Sequence, residues 1–180
     1  MPTNLILNFL RTSANLKKIK RQGWIDKLSL KNPESVADHT FSMAIMGMIF
    51  SDLENFNTEK ILKMILLHDL AESITGDIVP EKISKEEKNI LENQTIKKIL
   101  SQLPQSLEKQ YASLWDEYQA NVSKEARIVH QVDKLEMVLQ AKIYSDDGHS
   151  FENLCVFFDS ANKEITDPKL SDLFKEILEK

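Results

Sequence analysis

Thr58-Glu59-Lys60-Ile61-Leu62-Lys63-Met64-Ile65-Leu66-Leu67-His68-Asp69-Leu70-Ala71-Glu72 decides how this chain is read. Ile61, Leu62, Ile65 and Leu66 recur at the spacing of an amphipathic helix, with Thr58 as its expected cap. The run ends on His68-Asp69, and Glu72 follows one helical turn later. A histidine and an aspartate buried side by side are costly unless something compensates them, and a metal ion compensates both. On a helix that runs on to Glu72, the three side chains share one face.

Helical signals continue on both sides. Residues 3–20 carry an apolar stripe of Leu5, Ile6, Phe9, Leu16 and Ile19. Residues 21–34, with Gly23, Trp24 and Pro33, read as a loop. Ser35-Val36-Ala37-Asp38 has the form of a capping box before a helix through Phe41, Ala44, Ile45, Met48 and Ile49. Thr75-Gly76-Asp77 and Pro80 mark a loop, and Ser84 with Glu87 forms a second box. Further helices are expected after Pro104 and Ser123, around 150–158 and over 168–179. No segment alternates like a strand. The expectation is an all-α helical bundle, one domain over 1–180 with its motif-bearing core at about 16–165.

Composition agrees. A chain of 180 residues, 42% hydrophobic and 28% charged, can bury a substantial core. Its formal net charge of -5 gives no basic field for a nucleic-acid polymer, whereas a small anion held by a metal ion remains compatible. Cys155 is the single cysteine, so no intrachain disulfide can form and a reducing compartment is expected. Leu5–Leu10 is too short to span a bilayer and has neither a basic leader nor a cleavage site, so no membrane partner and a cytoplasmic location are expected.

The chain has four histidines: His39, His68, His130 and His149. His39, His68-Asp69 and Asp133 bring ligand-type side chains from three expected helices. Two imidazoles with two carboxylates suit a divalent ion such as Mn, Co, Fe, Zn or Ni. Such an ion can keep positions open for water and a phosphate oxygen, acidify the water and polarise the phosphoryl group. Glu72 is then the natural acid or base. Asp77 could meet a substrate hydroxyl or a second, weakly held ion. Arg21 and Trp24 could offer a cation and a stacking surface to a nucleotide.

Each residue also has a plainer reading. A lone histidine on an apolar helix is more often a hydrogen-bonded core residue, Asp133 a solvated acid, Glu72 a helix-end charge and Trp24 a core aromatic. His130, three residues before Asp133, competes as a ligand, but its neighbours Arg127 and Gln131 suggest a polar rim.

The order His39, His68-Asp69, Asp133 resembles the H…HD…D signature of HD-domain metal-dependent phosphohydrolases. Glu34-Ser35-Val36-Ala37-Asp38-His39, His68-Asp69-Leu70-Ala71-Glu72, Thr75-Gly76-Asp77-Ile78 and Asp133-Lys134-Leu135-Glu136-Met137 look like the 5′-deoxynucleotidase group of that superfamily. The similarity runs from about Leu16 to about Ile165. It implies an all-α fold, commonly a homodimer, that removes the 5′-phosphate from deoxyribonucleoside monophosphates with a divalent ion such as Mn, Co or Mg. It implies His39, His68, Asp69 and Asp133 as ligands, Glu72 as the catalytic acid and Asp77 near the sugar 3′-hydroxyl. In some members the equivalents of Glu72, Asp77 and the Ile78 carbonyl hold a second ion. Bacterial relatives carry an adjacent Arg-Trp pair for substrate selection; here Gln22-Gly23 separates Arg21 from Trp24, as in the eukaryotic-like branch. Two other readings stay open at this point: an HD-type phosphohydrolase of another nucleotide, and a non-catalytic metal-dependent nucleotide-binding protein.

Overall fold

Hydrogen-bonding side chains set several of the helix starts. The structure is a computed structural model describing residues 3–179; residues 1, 2 and 180, the ends of the expected domain, lie outside the described residues. Its order is α1 (Thr3–Ala14), a 3-10 turn (Asn15–Lys18), α2 (Gln22–Leu28), α3 (Val36–Leu53), α4 (Thr58–His68), α5 (Glu72–Thr75), α6 (Lys85–Leu100), α7 (Gln105–Ala120), α8 (Lys124–Asp146), α9 (Phe151–Glu164) and α10 (Pro168–Glu179). Ser35 with Asp38 and Ser84 with Glu87 form the two expected capping boxes, and Ser123 caps α8. For α4 the cap is Asn57, which accepts from Lys60 N, while the Thr58 hydroxyl donates to Asp52. Among the described residues there is no strand ladder, only an isolated antiparallel bridge between Lys20 and Ser35. No described helix is long and apolar enough to cross a membrane.

The all-α expectation holds, with α8 as the central column. Ala126, Val129, Val132, Leu135, Val138 and Ala141, every third residue, are fully buried along it. It packs against α3, α4, α7, α9 and α10, so one face of α8 is core while Asp133 and Glu136 look toward His39 of α3. Gln131 pins the last connection: its Oε1 accepts from Thr166 N and Asp167 N, between α9 and α10. Helices α3 and α4 approach closely at Gly47, where a Cβ would come within 2.3 Å of Ile65 Cδ1.

Local pattern also departs from the structure in four further places. The helix expected over 3–20 stops at Ala14, and α1 buries no residue fully, whereas Leu16 in the following turn enters the core. The expected loop 21–34 contains α2, held because Trp24 is buried and Asp77 accepts from Gln22 N at 2.8 Å. The helix expected around 150–158 extends to Glu164, since Ala161 continues the buried row begun by Leu154 and Phe158. On α3, Phe41, Ile45, Met48 and Ile49 face solvent, while Val36, His39, Thr40, Met43, Gly47 and Ser51 face inward. This helix is apolar on its outer side as well.

Candidate functional site

Helix α4 does not run on to Glu72. It ends at His68, with Asp69 as its C-cap at φ -107° and ψ 11°. Leu70 N donates to Leu67 O, Glu72 N to Asp69 O, and α5 then begins at Glu72. The single helical face expected for His68, Asp69 and Glu72 is therefore a bend. The bend still directs all three into one cavity of about 940 Å³, whose wall also includes Arg21, Asp77, Lys88 and Asp133. That volume suits a small organic ligand.

At the cavity floor three elements meet. His39 from α3 is fully buried, His68 closes α4, and Asp133 comes from α8. Asp69 Oδ2 lies 3.0 Å from His68 Nε2 and 3.9 Å from His39 Nε2, and Asp133 Oδ1 lies 3.2 Å from His39 Nε2. Each imidazole is fixed through its other nitrogen. His68 Nδ1 donates to Ile65 O at 2.6 Å, and His39 Nδ1 pairs with the buried Glu136 carboxylate. With Nδ1 engaged in this way, the neutral form of each ring presents its Nε2 lone pair toward Asp69.

His39 Nε2, His68 Nε2 and Asp69 Oδ2 are buried and have no hydrogen-bond partner. Such orphaned atoms are expensive in a folded protein, and a cation satisfies all three together. Among the described residues a second trio, Glu34, His39 and Glu136, also brings ligand atoms within 4.8 Å. Its members are already engaged: Glu34 Oε1 accepts from Trp24 Nε1 at 2.8 Å and Glu136 holds His39. The orphans lie on the Nε2 side, so that side is the candidate metal centre.

Charge is arranged to match. For His39, burial and Arg21 oppose protonation, but Asp133 and Glu136 outweigh them and raise its pKa to about 9. Burial pushes Asp69 and Asp133 up, yet His68 and Arg21 around the first, and Lys134 and His39 around the second, hold both below the ordinary carboxylate range. Glu72 behaves oppositely. Burial, then Asp69 and Asp77, hold its carboxyl well above the usual value against Arg21 and Lys88.

A ligating imidazole must give up its proton, so metal affinity should rise with pH. Between about pH 7 and pH 8, Mn²⁺ should bind about tenfold tighter, levelling above the His39 value of about 9. Calorimetric titration across that range checks this, and a flat affinity contradicts it. In the metal-free chain the raised His39 pKa stabilises the fold below the unfolded imidazole value. That contribution is lost as pH rises through about 9.

The remaining expected residues are placed less uniformly. Arg21, beside the Lys20–Ser35 bridge, points its guanidinium into the centre, 3.7 Å from Asp69 Oδ2. Trp24 is only 2% exposed, bonded to Glu34 and set against Tyr144 and Phe157 at 5.3 and 4.3 Å between ring centroids. The open stacking surface expected for it is not there; the ring is a wall that helps hold the α2–α3 corner. Asp77 lines the cavity while one oxygen accepts from Gln22 N. The Ile78 carbonyl accepts from Lys88 Nζ at 3.1 Å. His130 stacks on Tyr118 and donates to its carbonyl, away from the ligand trio.

The sequence profile described as "HD domain" matches residues 13–173. The chain belongs to the HD-domain family. Curated relatives agree: the protein named 5'-deoxynucleotidase HDDC2 from Homo sapiens is 39% identical over 173 residues, covering 96% of this chain and 84% of its own length. The 5'-deoxynucleotidase YBR242W of Saccharomyces cerevisiae is 36% identical over 169 residues, covering 91% of this chain and 70% of its own. Among solved structures, the PH0347 protein from Pyrococcus horikoshii OT3 superposes with a TM-score of 0.77 at 31% identity, covering 95% of this chain and 97% of that one.

A divalent ion is implied by the HD-domain family, and the orphaned trio beside Asp133 fits one. Around this HD centre lie groups that residue spacing alone does not announce. Glu136 sits one helical turn after Asp133 and orients His39. Lys88 from α6 reaches 3.7 Å from Glu72 Oε1, and Tyr118 lies edge-on to His68. Glu136 carried a usable signal, being on the Asp133 helix at the spacing that shares a face.

Proposed function

We propose that this chain is a metal-dependent 5′-deoxynucleotidase that hydrolyses deoxyribonucleoside 5′-monophosphates to deoxynucleoside and phosphate. One observation carries the reading: three orphaned ligand atoms converge beside the buried Glu72 carboxyl in the wall of the same cavity. The relatives' names support the substrate class.

The proposed ligands are His39, His68, Asp69 and Asp133, with Mn, Co or Mg as the working ion and Zn, Fe or Ni as compatible ones. When bound, the ion supplies positive charge to the phosphoryl oxygens and makes an attacking water more acidic. Glu72 gives its proton to the 5′-oxygen as the phosphorus–oxygen bond breaks, and the water oxygen becomes the new phosphate oxygen. The proton lost by the water restores Glu72. Arg21 adds a fixed cation beside Asp69 for the phosphate. Asp77 accepts from the sugar 3′-hydroxyl, and a wall fitted to the deoxy sugar leaves a 2′-hydroxyl crowded and desolvated. Incubation with mono-, tri- and cyclic nucleotides tests the reading: phosphate from monophosphates is expected, and pyrophosphate or triphosphate release contradicts it.

The same reading includes a cytoplasmic homodimer. The outer face of α3 exposes Phe41, Ile45, Met48 and Ile49 together, an apolar stripe suited to a self-complementary contact. Ile45→Glu should convert a dimer to a monomer in light scattering without loss of helicity. A monomeric wild-type chain would contradict the dimer.

A further inference from the structure

The seat that resemblance assigns to a second ion does not fit one in this chain. Of its three donors, the Ile78 carbonyl accepts from Lys88 Nζ at 3.1 Å. The same ammonium lies 3.7 Å from Glu72 Oε1 and 3.6 Å from Glu92 Oε1. Asp77 Oδ2 is engaged by Gln22 N at 2.8 Å.

We propose that Lys88 is the resident cation of the seat formed by Glu72, Glu92 and the Ile78 carbonyl, and that the chain therefore works with one divalent ion per protomer. The inference rests on the HD centre proposed above as the site of that ion. An ammonium has three donors and no acceptor; here it donates to the Ile78 carbonyl and lies within ion-pair reach of one oxygen each of Glu72 and Glu92. The local structure delivers it there: the Ser84–Glu87 box starts α6, and Lys88 follows one residue after the box closes. Glu92, one turn further on, comes from the same helix. Burial works against the Lys88 charge, but Glu72, Glu92, Asp69 and Asp77 together favour it. A divalent ion entering the seat would have to displace an ammonium already held by the Ile78 carbonyl and faced by Glu92.

Lys88 thereby acts as a positioning residue. It faces Oε1 of Glu72, while Oε2 stays without a hydrogen-bond partner. One carboxyl oxygen is thus anchored and the other is left for the reaction.

The test counts ions rather than turnover. Wild type, Lys88→Met and Lys88→Arg are equilibrated with Mn²⁺, dialysed and assayed for manganese per chain by mass spectrometry. Circular dichroism verifies helicity, and low-temperature electron paramagnetic resonance distinguishes isolated from exchange-coupled ions. One isolated Mn²⁺ is expected in wild type and Lys88→Arg. Lys88→Met, which keeps the length and loses the charge, should take up a second, coupled ion. Two ions with Lys88 in place, or a single ion in folded Lys88→Met, overturns this inference alone. A wild-type chain that holds no Mn²⁺ overturns the HD centre and this inference with it.

Discussion

Glu72→Gln should lower kcat by about 10²–10⁴-fold while the protein keeps its fold and its bound ion. Glutamine preserves the size and hydrogen-bonding of the buried side chain, which is 2% exposed, but it cannot deliver a proton. The loss should appear in kcat more than in KM, because proton transfer to the leaving oxygen belongs to the transition state. Wild-type activity should also fall on the alkaline side as Glu72 loses its proton. Burial together with Asp69 and Asp77 moves that loss to higher pH than an ordinary carboxyl would show. Steady-state kinetics with metal analysis decides the matter, and a metal-loaded, fully active Glu72→Gln removes the residue from its role.

Asp69→Ala should abolish both metal retention and turnover. Asp69 Oδ2 is the atom that both Nε2 atoms face, at 3.0 and 3.9 Å, so its removal takes the shared negative partner from the centre. It also leaves Arg21 without the carboxylate at 3.7 Å, placing an unpaired cation beside two histidines. Glu136→Gln provides the scale. As an outer partner of His39, it should weaken metal affinity by roughly 10–100-fold, and Asp69→Ala should exceed that. Stoichiometric metal in Asp69→Ala would remove Asp69 from the ligand set.

The proposed ligand positions are legible because chemistry and pattern coincide at them. His68-Asp69 ends an apolar helix, where such a pair needs a reason, and few histidines compete with it. The helix starts at Ser35, Ser84 and Ser123 were legible because capping is a local interaction. What stayed hidden depends on distant chain. Lys88 stands among Lys85, Glu86 and Glu87, where any charge reads as solvated, and only the folding of residues 76–84 places Ile78 O against it. Trp24 could be read as platform or core until Glu34, Tyr144 and Phe157 were seen around it. The apolar residues of α3 have helical period on either face, so periodicity could not tell the core side from the side with Phe41 and Ile45.

The most direct measurement of the central claim is phosphate release from matched deoxyribonucleoside and ribonucleoside 5′-monophosphates. The purified chain is stripped of metal and then reloaded with Mn²⁺, Co²⁺ or Mg²⁺ in turn. The account predicts no release from the stripped chain, and restored release from the deoxy substrates well above their ribo counterparts. Undiminished release without metal, or equal turnover of both sugars, would contradict it.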